Sequence, residues 1–148
     1  MCFMKVRVEL KGGDGVIPGI SYPGELEREE ENFSLSWNQP PEKKGDPQVS
    51  FLLTYGGAGR PMMLKRSGDA DMRLEFLEGS RTEGLLKTGH GDMYLETDTK
   101  LLQVLTPKDG SGSAARIVLC YDLYFEGQPA VRNELKIEAH LENQDQVE

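Results

Sequence analysis

Arg66, Tyr121 and Asn133 are the residues whose types and positions offer chemistry in this chain. Each interrupts an alternating apolar row: Arg66 follows Met62 and Leu64, Tyr121 lies between Leu119 and Leu123, and Asn133 lies between Val131 and Leu135. Side chains on a strand alternate between its faces, so each of the three shares the face of its apolar neighbours. An inward guanidinium needs an acceptor. A ligand carboxylate or phosphate would serve as a bidentate partner; so would an acidic side chain or loop carbonyls at the strand end. An amide buried without a partner costs about 1–3 kcal/mol. Asn133 must therefore bond backbone, another side chain, water or a ligand. Thr97 and Thr99 also share an apolar parity. With Tyr121 they could supply the few polar contacts of a largely apolar cavity, or they could be ordinary core residues with satisfied hydroxyls.

This is the chemistry of binding. The residues of catalysis are poorly placed. His90 stands in the turn Gly89-His90-Gly91 beside Asp92, without the positioned partner that general acid–base work requires. His140 falls on a polar strand face. The two histidines and the two cysteines, Cys2 and Cys120, are too dispersed for metal-ligand spacing. Neither cysteine adjoins a basic residue or a helix start that would activate its thiolate. Gly56 to Gly59 lacks the Lys-Ser/Thr ending of a phosphate loop, and no nucleophile elbow or dinucleotide fingerprint is present. No catalytic residue, no metal and no cofactor is expected. An enzyme acting through His90 or Arg66 is the least favoured reading.

The elements that must position these residues are strands. Ile117 to Phe125 and Val131 to Leu141 alternate strictly around Gly127-Gln128-Pro129, which reads as an antiparallel hairpin with one buried face. A lone hairpin cannot hide that face, so the rest of the chain must cover it. Shorter alternating stretches occur at Met4–Leu10, Phe33–Trp37, Met62–Arg66, Met72–Phe76 and Met93–Leu101; Val49–Tyr55 is apolar enough for a strand and Thr82–Thr88 reads as a weaker one, with Gly- and Pro-rich turns between them. Val16 to Glu25 reads as loop. The acidic run Glu25 to Glu31 holds one apolar residue, Leu26, and reads as loop or a solvated strand start. Gln39–Pro47 and Thr106–Ser113 read as surface connections, and the tail after Leu141 as polar and frayed. About nine strands with no helical periodicity imply a sandwich or a barrel. A meander of short turns favours the barrel, because closure removes exposed edges.

Composition narrows the partners. Seventeen basic and 25 acidic residues in 148 give a net charge of −8. That disfavours a nucleic-acid surface, where phosphate binding needs clustered Lys and Arg, and equally an anionic membrane. The first residues contain no long apolar run, so neither a signal peptide nor a membrane span is expected. Two cysteines make no disulfide framework and suit a reducing cytoplasm.

Lys65-Arg66-Ser67-Gly68, Lys87-Thr88-Gly89-His90-Gly91, Leu95-Glu96-Thr97, Tyr121-Asp122-Leu123 and Asn133-Glu134-Leu135-Lys136-Ile137 occur in an order that resembles the YwiB-like family, small bacterial proteins with a domain of unknown function. The resemblance spans roughly Gln48 to Glu142. It implies a calycin-type, lipocalin-like barrel and no settled activity. The expectation is therefore one all-β domain, an antiparallel closed or nearly closed barrel of about eight to ten strands. It would be cytoplasmic and would bind a small, partly apolar ligand through Arg66, Tyr121 and Asn133. The alternative is an interaction or regulatory module that uses the acidic run and the long loops. A homodimer is a further expectation, because Val118, Cys120 and Tyr124 place apolar groups on the outward parity.

Overall fold

The alternation that marks the strands also closes them into a ring. In a computed structural model the chain forms ten strands: β1 (Cys2–Lys11), β2 (Ser21–Glu29), β3 (Asn32–Gln39), β4 (Val49–Tyr55), β5 (Met62–Ser67), β6 (Asp71–Phe76), β7 (Arg81–Thr88), β8 (Gly91–Leu105), β9 (Ser113–Phe125) and β10 (Val131–Leu141). The structure describes residues 2–12, 21–40, 44–106, 113–126 and 128–142. Each strand pairs antiparallel with the next, and β1 pairs with β10, giving a closed barrel. The seam runs from Val6 opposite Leu141 to Lys11 opposite Lys136. No helix occurs among the described residues.

Inward residues follow the parity of the sequence. Val6 and Val8, Leu35 and Trp37, Met62 and Leu64, Leu74 and Phe76, and Ile117 and Leu119 are all buried in one core. One barrel end, here called lower, carries the β2–β3, β4–β5 and β6–β7 turns. The upper end carries the β3–β4, β5–β6, β7–β8 and β9–β10 connections. Half-buried inward residues occur at both ends and are more numerous at the upper one. Near the lower end Phe33, Met62, Phe76, Ala115 and Ala139 are buried, while Met4, Tyr55 and Val104 are half-buried. Near the upper end the inward residues are half-buried on strand after strand: Leu10, Tyr22, Phe51, Met72, Leu86, Leu123 and Leu135.

Two inward glycines let neighbouring strands press together. A Cβ on Gly24 would lie 2.5 Å from the Ser36 carbonyl oxygen and 2.8 Å from Val8 Cγ2. A Cβ on Gly84 would lie 2.6 Å from the Arg73 carbonyl oxygen. Both mark close backbone approach between neighbouring strands.

The strand β2 corrects the reading of Val16 to Glu25 as loop over Ser21–Glu25; residues 16–20 lie outside the described residues. Pro23 and Gly24 hid it, since both argue against a strand in sequence. Here Gly24 faces Trp37, and the strand continues through the acidic run to Glu29. Leu26 is fully buried while Glu25, Glu27 and Glu29 are exposed, so the run is a solvated strand face. The strand β8 extends past Leu101 to Leu105 across a bulge between Thr99 and Leu101. Most of the Thr106–Ser113 connection, residues 41–43, Gly127 and the tail after Glu142 lie outside the described residues.

Candidate functional site

Tyr121 and Asn133 meet. Asn133 on β10 is the cross-strand partner of Tyr121 on β9, and Tyr121 is in turn the partner of Thr99 on β8. Thr99, Tyr121 and Asn133 thus form one polar row across three strands of the inner wall. The Tyr121 ring packs against Phe76, with centroids 4.8 Å apart and planes tilted by 59°. Burial raises the Tyr121 phenol above its ordinary value, so it stays a neutral donor. The Asn133 side-chain amide donates to the Val131 carbonyl at 3.2 Å, within its own strand.

Arg66 stands elsewhere, on β5, whose neighbours are β4 and β6. It lies between Phe51 and Met72 in register, at the upper end of its strand. Its guanidinium turns back on the β5–β6 connection. Nη1 donates to the Ala70 carbonyl at 2.6 Å and Nη2 to Asp69 Oδ1 at 2.8 Å. The Arg66 hydrogen bond, then its charge, holds the Asp69 carboxyl below its ordinary value. The acceptors that a ligand could offer Arg66 are thus supplied by its own turn.

Two further residues carry unmet polar atoms. Thr99 is fully buried, and its hydroxyl has no hydrogen-bond partner among the described residues. The Trp37 indole N–H is also buried without a partner, although its ring stacks on Phe51 at 5.1 Å with planes 10° apart. Thr97, by contrast, is satisfied: its hydroxyl donates to the Glu75 carbonyl at 2.6 Å. Trp37 was legible as an inward residue of β3, and an indole N–H inside an apolar row signals the need for an acceptor. His90 lies in the exposed turn, where its backbone N–H donates to Thr88 Oγ1 at 3.1 Å. Among the described residues no three His, Cys, Asp or Glu side chains gather as metal ligands.

The inner wall thus combines a polar row and an unmet hydroxyl with apolar neighbours and a half-buried upper rim. It offers no nucleophile paired with a base.

Comparison with known proteins agrees with this architecture. In the solved structures the chain is similar to the YwiB protein from Bacillus subtilis, with a TM-score of 0.66 at 18% identity, over 95% of this chain and 91% of that one. At that identity the likeness shows the fold. No curated protein matches the chain. A family model described as a domain of unknown function, DUF1934, matches residues 17–137. The YwiB-like resemblance read from Gln48 onward therefore holds and reaches further towards the N-terminus. With the family model covering most of its length, the chain belongs to the DUF1934 family.

Proposed function

We propose that the barrel binds a small, partly apolar molecule, admitted at the upper end and held against the inner wall of β8, β9 and β10. The observation that carries this reading is the buried, unpartnered hydroxyl of Thr99 in the same row as Tyr121 and Asn133. A buried polar group without a partner costs about 1–3 kcal/mol. A ligand polar group there would offset that cost, and the Trp37 indole N–H would donate a second hydrogen bond to a ligand acceptor. Ring size supports the reading. Eight-stranded barrels already suffice to hold one small ligand, and diameter grows with strand number; this ring has ten. Arg66 frames the rim by fixing the β5–β6 turn. The free thiol of Cys120 and the acidic composition suit a protein of the cytoplasm.

Native mass spectrometry of the protein from its own cells, before and after denaturation, tests this. A reproducible small mass released on denaturation is expected, and Thr99→Val should reduce its occupancy. A protein that carries no small mass, or a Thr99→Val variant with undiminished occupancy, would overturn the assignment.

A second reading, an interaction module, draws on the exposed Glu25, Glu27 and Glu29 ladder of β2. Reversing those three charges should then abolish capture of a basic partner. An unchanged set of captured proteins counts against it.

A further inference from the structure

The outer wall carries a second feature that the inner site does not use. A groove of about 630 Å³ crosses the outside of β3 to β7. Its floor includes Leu52, which is 38% exposed, and Leu85. Three cations flank it: Lys65 on β5, Arg73 on β6 and Lys87 on β7. The chain carries a net charge of −8 with 25 acidic residues, yet this groove is lined by four basic residues and one carboxylate, Asp71. The fourth cation, Arg66, is paired with Asp69.

The register makes the arrangement unfavourable as it stands. Lys65 and Arg73 are direct cross-strand partners. Like charges directly opposite each other destabilise a ladder. Among the described residues no carboxylate oxygen lies within 4.0 Å of Lys65, Arg73 or Lys87. Asp71 is the register partner of Lys87 but does not pair with it. Several outward cations elsewhere on the same barrel find acids, Arg81 with Glu96, Lys100 with Asp98 and Arg132 with Asp122. Lys5 and Lys136 lack one among the described residues, but they lie at opposite ends of the β1–β10 seam rather than clustered. An apolar floor between unpaired cations complements a molecule with an apolar body and an anionic head.

We propose that this groove is a binding site for a free amphipathic anion, a small molecule with an aliphatic or aromatic body and one carboxylate or phosphate. The body lies over Leu52 and Leu85. The head bridges Lys65 and Arg73 and relieves their repulsion, with Lys87 as the third contact. The size of the groove fits a drug-sized ligand, within the roughly 300–1,000 Å³ typical of such sites. The groove also touches Phe51, Arg66 and Met72 at the upper rim. Its proposed contacts Leu52, Lys65, Arg73, Leu85 and Lys87 have outward parity, so it is tested separately from the inner site.

The test is titration of the purified protein with monomeric dodecanoate, followed by calorimetry, with dodecan-1-ol as the uncharged control. Saturable binding of dodecanoate is expected. It should weaken at least tenfold in the Lys65→Gln/Arg73→Gln/Lys87→Gln variant and as the salt concentration rises. It should fail in Leu52→Glu, which puts a carboxylate on the groove floor, and persist at wild-type strength in Thr99→Val. Thermal melting of each variant confirms folding. Equal binding of the alcohol, undiminished binding by the triple variant, or loss of binding in folded Thr99→Val would overturn the proposal. So would binding to anionic vesicles by a protein that ignores dodecanoate.

Discussion

Thr82 and Thr97 face each other across β7 and β8, and both hydroxyls converge on the carbonyl of Glu75 in β6. The two oxygens lie 2.8 Å apart. Two hydroxyl protons serve three contacts, so one threonine donates to the carbonyl and the second donates either to that carbonyl or to the first hydroxyl. The arrangement has a purpose in the fold. The ladder between β6 and β7 covers only Asp71 to Arg73, so Glu75 in the lower half of β6 lies beyond it. The threonine pair ties its carbonyl to β7 and β8.

Either threonine alone can satisfy the carbonyl, which sets the pattern of mutant stability. Thr82→Val and Thr97→Val should each cost about 0.5–1.5 kcal/mol, the worth of one hydrogen bond. The double variant should cost more than their sum, because it leaves the Glu75 carbonyl unpaired. Urea unfolding of the four proteins gives the coupling directly. Strictly additive losses would mean that the two hydroxyls act separately.

Glu138 provides a pH dependence. It is 7% exposed although it has the outward parity of β10. Lys11 Nζ lies 2.8 Å from its carboxylate, with Arg116 at 3.4 Å and His140 at 3.8 Å. The Lys11 hydrogen bond is the largest influence, and it holds the Glu138 carboxyl below its ordinary value against the opposing effect of burial. The folded state thus binds that proton less readily than the unfolded chain. Its contribution is complete above the unfolded carboxylate range, about pH 4.3, and is lost as pH falls through the lower folded value. Glu138→Gln should flatten the acid limb of stability in that window. Denaturant midpoints measured from pH 7 to pH 3 check it; parallel profiles for variant and wild type would refute it.

Gly84 and Gly24 hold the strands at distances that a methyl group cannot share. Gly84→Ala must displace the Arg73 backbone, and Gly24→Ala the Ser36 backbone. Each should cost about 1–3 kcal/mol, the range for overpacking. Gly89→Ala, where a Cβ meets nothing within 4 Å, should stay within about 0.5 kcal/mol of wild type. Equal stability of all three variants would show that the wall yields freely at these close approaches.

Much of this molecule is written in its alternation. Ile117, Leu119 and Tyr121 point inward as their parity requires, and the last hairpin pairs Tyr121 with Asn133. What parity cannot give is the register across a turn whose type the sequence leaves open. Nothing in the sequence says that Lys65 stands opposite Arg73, or that Thr99 belongs to the row of Tyr121. Nor does parity tell which inward polar group finds a partner. Arg66 is answered four residues on by Ala70, and Thr97 by Glu75, whereas Thr99 is left unanswered. The strand β2 was obscured by Pro23 and Gly24, whose local preferences yield to pairing on both sides.

The seam between β1 and β10 governs the order in which the ring can form. Every other ladder joins strands adjacent in sequence, so nine hairpin-like pairings can zip locally as the chain emerges during synthesis. The Val6–Leu141 seam alone joins opposite ends of the ring and carries the largest loop-closure entropy. Until β10 arrives, β1 and β9 each present an unsatisfied flank to the surrounding solution. Nascent chains are therefore most prone to associate with one another in the interval before the last strand docks, and chaperone dependence should concentrate there.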